Sequence, residues 1–229
     1  MKKHILPLLC GFILAILLFI LKYMLNISDD IFYKSFFAVI AVVIVGCIIF
    51  NIVCVLPIRK RVISHIKLLE NGEPENALEE MKKLYMEMSD KKYLVNMKNI
   101  CRLNMTAAYC DMEQYDSAME ILKELSSVKL MGNADFVYRL NLCACYFYMS
   151  DGKNGLRIYN ENKVLFEKYE NSEFYGGNVR VLKMFALLEE KRYTEAEKLL
   201  RQTVESSNNP RLEKDFDFIE KIIESHKNE

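Results

Sequence analysis

"RLNMTAAYCDMEQYDSAMEIL", residues 102–122, is the stretch whose reading decides the fold. It contains no glycine, proline or histidine. Its apolar side chains recur at three- and four-residue intervals, the period of an amphipathic helix. Ala118 follows Tyr115 by three residues and Tyr109 by nine. A small side chain on a helix face lets a second helix approach, and tyrosines nearby fill the space beside the contact. Outward from Ala118 the same register returns at Ala77, Gly155 and Ala196, with steps of 41, 37 and 41 residues. Sixteen residues before these four small residues stand Arg61, Arg102, Arg139 and Arg180. Ten before the last three stand Ala108, Cys145 and Ala186, and Tyr193 precedes Ala196 as Tyr115 precedes Ala118. The sequence therefore predicts four helix pairs in one register: "RVISHIKLLENGEPENALEEM", "RLNMTAAYCDMEQYDSAMEIL", "RLNLCACYFYMSDGKNGLRIY" and "RVLKMFALLEEKRYTEAEKLL".

These units resemble the tetratricopeptide repeat, whose signature is W-x2-L-G-x2-Y, then A-x3-F, then P. The second unit supplies Met105, Thr106, Tyr109, Ala118 and Leu122 at the Leu, Gly, Tyr, Ala and Phe positions. Arginine replaces the tryptophan in all four units, Lys183 stands at a position that is usually apolar, and the spacing exceeds 34 residues. The resemblance covers about residues 60–205 and implies an all-α solenoid of antiparallel helix pairs. It also implies a partner groove along the first helix of each unit. In this register that face carries Val62, Ile66 and Leu69; Leu103, Ala107 and Cys110; Leu140, Ala144 and Phe147; and Val181, Phe185 and Leu188. The family's peptide clamp holds a terminal carboxylate with Lys and Asn. These positions are apolar, so the expected partner is an apolar helix or segment of another protein, the chain's own C-terminal helix, or a second copy.

Helix breaks are expected at 71–75, 89–92, 131–135, 150–155, 170–178 and 206–210, where Gly, Asn, Asp, Ser and Pro gather. Beyond them, "PRLEKDFDFIEKIIESHKNE" reads as a charged end helix with Pro210 in its first turn.

The N-terminal part has another character. Residues 1–58 hold only Lys2, Lys3, Lys22, Lys34, Asp29 and Asp30 as charged side chains. Ile5–Leu21 is free of charge, and Lys22 can snorkel. Ser35–Ile58 is uncharged for 24 residues, enough to cross a hydrocarbon core of about 30 Å. A cleaved signal peptide is disfavoured, because the first run is long for a signal core and no A-x-A-like site follows it. The expectation is a two-helix transmembrane hairpin over 1–58 and a repeat domain over 59–229. Lys2 and Lys3 before the first span, and Arg59, Lys60, Arg61 and Lys67 after the second, place both termini in the cytoplasm by the positive-inside rule.

Residues 59–229 retain 27 basic and 29 acidic groups of the 31 of each in the chain, a charge near −2. That balance lacks the basic footprint of a nucleic-acid binder. Cys101, Cys110, Cys143 and Cys145 occupy helical apolar contexts and read as buried free thiols of a reducing compartment. Cys143 and Cys145 point about 200° apart on a helix and so cannot chelate one ion. His65 reads as a helix residue with its hydrogen bonds satisfied. No spacing suggests a metal, cofactor or catalytic site. The expected function is a membrane-anchored scaffold that binds protein. The alternatives are an assembly factor with the domain outside the membrane and, less favoured, a membrane enzyme.

Overall fold

Four turns of one geometry organise the helices of the computed structural model, which describes residues 16, 20, 22–130, 132–207 and 209–227. Gly72, Glu113, Ser150 and Lys191 each adopt the left-handed conformation, with φ of 78°, 60°, 59° and 60°. Each stands five residues before a small residue of the register: Ala77, Ala118, Gly155 or Ala196. At each turn the left-handed residue donates its N–H to the carbonyl three residues back, at 2.9–3.0 Å. The next N–H reaches the carbonyl five residues back: Glu73 to Leu68, Gln114 to Tyr109, Asp151 to Tyr146 and Arg192 to Leu187, at 2.8–2.9 Å. This is the Schellman arrangement, which satisfies carbonyls left open at a helix C-terminus. The small residue then donates its own N–H to the residue that opens the second helix.

The chain divides into two compact units, Met1–Leu56 and Pro57–Glu229. In the first, α1 (Asp29–Phe50) follows Ser28 and continues into a π-helical turn over Asn51–Val55. Asp29 and Asp30 lie in its first turn, where negative charge favours the helix dipole. None of its residues is buried. Among the described residues one helix, starting at Asp29, is long and apolar enough to cross a membrane by length and composition. The span expected at Ile5–Leu21 lies outside the described residues except for Ile16 and Ile20, as do Lys2 and Lys3.

The second unit holds the helix pairs. They are α2 (Leu56–Glu70) with α3 (Pro74–Glu87), α4 (Val95–Asp111) with α5 (Tyr115–Leu125), and α6 (Asn133–Tyr148) with α7 (Gly152–Glu161). After a short helix α8 (Lys163–Tyr169) come α9 (Gly176–Glu189) with α10 (Tyr193–Ser206), and then α11 (Glu213–Lys227). No strand occurs among the described residues. First helices pack on one another across units, α4 on α6 and α6 on α9, while α11 packs on α9 and α10.

The register positions are packing positions. Ala77, Ala118 and Ala196 are fully buried. In the third unit glycine takes this place because Phe147 lies over it: a Cβ on Gly155 would stand 2.7 Å from the ring. The residues that correspond to Phe147 in the other units are Leu69, Cys110 and Leu188, all smaller. Tyr109 packs against both the cluster of Leu69, Ala77 and Met105 and the cluster of Leu103, Ala118 and Leu122, so it fills the seam between the first two units.

In three of the four units, the arginine sixteen residues before the small residue reaches the second helix of its own pair or the residue that caps it. Arg61 meets Glu87 at 2.5 and 2.9 Å, Arg102 meets Glu124, and Arg139 donates to Asn162 Oδ1 at 2.8 Å. Arg180 does not repeat the pattern, and its buried Nε has no hydrogen-bond partner.

The structure departs from expectation in three places. The turns at Glu113 and Lys191 are not among the expected helix breaks, because neither carries a glycine or proline to mark it. The third connection contains the short helix α8, which was not expected. Pro210 opens a 3₁₀ turn over Pro210–Leu212 and not the first turn of α11 itself; Asn209 caps that turn by accepting the Arg211 N–H at 3.1 Å.

Candidate partner-binding cleft

The first-helix face is crossed by the C-terminal segment. Leu212, Ile219 and Ile223 are buried in the same core as Leu140, Val181, Phe185 and Leu188. Amphipathic spacing explains this: positions 212, 216, 219 and 223 form one helical stripe, and Phe216 packs against that core as well. Beside the stripe, Arg211 grips Asp111 at the end of α4 with both arms, Nε to Oδ2 at 2.7 Å and Nη2 to Oδ1 at 2.9 Å. One turn on, Asp215 accepts the Tyr148 hydroxyl at 2.6 Å. Tyr148 stacks on Tyr115 and meets Phe185 edge-on, and Phe218 of α11 leans on Phe185 at 6.0 Å.

Two spaces remain beside these contacts. A cleft of about 520 Å³ is walled by Gly72, Cys110, Asp111, Glu113, Tyr115 and Tyr148 on the repeat side. Pro210, Arg211, Lys214, Asp215, Phe218 and Lys221 wall it on the C-terminal side. A smaller cavity of about 60 Å³ lies against Ala107, Cys110, Leu140, Ala144 and Val181. The structure thus brings five of the twelve expected groove residues to one cavity. Val62, Ile66 and Leu69 of the first unit do not line it. Leu103, Phe147, Phe185 and Leu188 are core residues, as are Val62, Leu69, Leu140 and Val181. Ala107, Cys110, Ala144 and Ile66 are half-buried.

Burial sets the electrostatics of this cleft. It pushes the Asp215 carboxyl up to about 6, against the pull of the Tyr148 hydrogen bond and the Arg211 charge. It also raises Asp111 above its ordinary value despite the guanidinium that grips it. The Tyr148 phenol is pushed well up by burial and by the adjacent Asp215. The inward charges are committed to one another, so the chemistry they supply is attachment of a helix. At the rim, Glu113, Lys214, Asp217 and Lys221 are exposed and free of those pairings.

A buried polar clip also joins the second and third units. Asn141 donates to the Leu103 carbonyl at 2.9 Å and to the Thr106 hydroxyl at 2.6 Å, and Thr106 donates to the same carbonyl. Cys143 and Cys145 diverge as their helical spacing requires: Cys143 donates to the Gly155 carbonyl, and Cys145 turns to Cys110. His65 is buried as a helix residue, but its Nε2 has no hydrogen-bond partner, contrary to the sequence reading, and burial holds its pKa down.

Asp111, Tyr148, Arg211 and Asp215 were invisible as site residues in the sequence. The available signals were slight. Asp111 adjoins Cys110, and Arg211 and Asp215 stand four apart on a helix whose charges suit a solvated face. Compared with models of known families, with curated proteins and with solved structures, the chain matches none.

Proposed function

We propose that this chain is a membrane-anchored adaptor whose tetratricopeptide-like repeats stack as an α-solenoid at the cytoplasmic face and bind protein. The observation that carries the reading is the fourfold repetition of one turn, each Schellman link standing five residues before a small packing residue. Repeated helix pairs of this kind offer an extended surface for partners. The apolar helix from Asp29 supports an anchor, and Arg59, Lys60, Arg61 and Lys67 beyond it support a cytoplasmic domain. Tethering a partner at the membrane raises its effective concentration without new chemistry.

The partner is an apolar helical segment of another protein that takes the place held by α11 or lies along the cleft beside it. Its capture is tested by a photo-crosslinking residue at half-buried Ala144, compared with one at exposed Glu120 on α5, in the full chain in its own membranes. Leu103 and Leu140 are unsuitable sites, because a charge at either buried position would unfold the domain. A discrete adduct from Ala144 and none from Glu120 is expected. Equal labelling from both positions, or from neither, overturns the reading.

A further inference from the structure

Docking of the C-terminal segment uses Asp111 but not the thiol beside it. Cys110 Sγ lies 3.3 Å from Cys145 Sγ, and both are free. The gap exceeds a disulfide bond by only about 1.3 Å. The two thiols belong to α4 and α6, which pack directly, so their approach is fixed by the helix seam and not by a loop. Cys145 is fully buried. Cys110 is half-buried and lines both the large cleft and the small cavity, so a small reagent can reach it from the cleft. Cys143, two residues from Cys145, is turned away to the Gly155 carbonyl at 3.4 Å.

We propose that Cys110 and Cys145 are a modification site that low-molecular-weight disulfides such as oxidised glutathione convert to an intrachain disulfide. The Cys110 thiolate attacks one sulfur of the small disulfide, forming a mixed disulfide and releasing one thiolate. The Cys145 thiolate then attacks the Cys110 sulfur and releases the second. Two protein thiols and one small disulfide become one protein disulfide and two small thiols. The two protons pass to the released thiolates, and the small disulfide takes the two electrons.

The surroundings make the site slow. The contact with Cys145, burial and the Asp111 charge hold the Cys110 thiol in its neutral form, and Arg211 opposes them. Tyr115 of α5 and Tyr148 of α6 also face it, each held protonated by burial. The thiolate is the attacking species, so the pair responds to sustained oxidation and not to a brief pulse. Closure ties the first helix of the second unit to that of the third, next to the carboxylate that grips Arg211. The inference stands on the sulfur geometry and does not rest on the adaptor reading.

The test uses the full chain in detergent, exposed to oxidised glutathione, acid-quenched, alkylated and digested. A peptide pair joined through Cys110 and Cys145 is expected. After denaturation the oxidised chain should take two fewer maleimide tags than the reduced chain with its seven cysteines. Dithiothreitol should restore both tags. Cys143→Ser should keep the link, and Cys110→Ser and Cys145→Ser should each lose it. Persistence of both thiols, a stable glutathione adduct on Cys110 that Cys145 fails to resolve, or a link through Cys143 overturns the proposal. Peptide mapping of the unsubstituted chain decides the matter even if a serine variant folds poorly.

Discussion

Gly155 and Phe147 show how one residue is chosen by another across a helix pair. The ring occupies the volume that a Cβ at 155 would need, at 2.7 Å. Alanine in a helix interior is ordinarily favoured over glycine by about 1 kcal/mol. Overpacking a filled core costs about 1–3 kcal/mol and outweighs that gain here. Gly155→Ala is therefore expected to destabilise the domain by up to about 2 kcal/mol in urea denaturation. In a Phe147→Leu background the same substitution should become neutral or stabilising, since the other units pair alanine with smaller residues. Equal effects in both backgrounds would contradict the packing account. The small-residue register was legible because size at a helix contact leaves its mark on residue type. The turns at Glu113 and Lys191 were not, because a non-glycine residue in the left-handed region, at a penalty of roughly 1–2 kcal/mol, leaves no mark in the sequence.

At the scale of the element, α11 and the 3₁₀ turn before it combine an apolar stripe that was legible with inward charges that were not. Helical periodicity identifies Leu212, Ile219 and Ile223 as a buried side. No local rule distinguishes Arg211 and Asp215 from solvated charges, because their partners Asp111 and Tyr148 lie 100 and 67 residues away. Arg211→Ala leaves the largely buried Asp111 carboxylate without its counter-ion. Loss of one partner from a buried pair costs about 3–5 kcal/mol, and partial exposure of this pair reduces the expectation to about 2–3 kcal/mol. Faster hydrogen exchange confined first to α11 is the readout. Asp111→Asn added to Arg211→Ala should recover part of the loss, and an additive double variant would sink this account.

Asp215 makes the same element sensitive to pH. Its carboxyl titrates near 6 in the fold and near 3.8 as an unperturbed group. Between those values the folded chain holds a proton that the unfolded chain has lost, so this group's contribution falls as pH rises and is constant above about 6. Asp215→Asn keeps an acceptor for the Tyr148 hydroxyl and removes the titration. Relative to the unsubstituted chain, the variant should gain about 1–3 kcal/mol between pH 4 and pH 7. A stability difference that does not change with pH would show that Asp215 is not the titrating group.

For the whole molecule, composition separated the charge-poor N-terminal stretch from the repeat domain, and repeated spacing pointed to the four helix pairs. The short helix α8 escaped notice because "KVLFEKY" continues the apolar period of α7, and a turn at Asn162 separates them. The occupant of the first-helix face had three candidates from sequence, and contacts at Arg211, Leu212 and Ile219 identify the C-terminal segment as the one in place here. If an apolar anchor holds this domain at the cytoplasmic face, as proposed, a green fluorescent reporter fused after Glu229 should show it in fractionated cells. The account predicts fluorescence that stays with the membranes through alkaline carbonate extraction. A dark fusion whose phosphatase counterpart is active, or fluorescence released by carbonate, would contradict it.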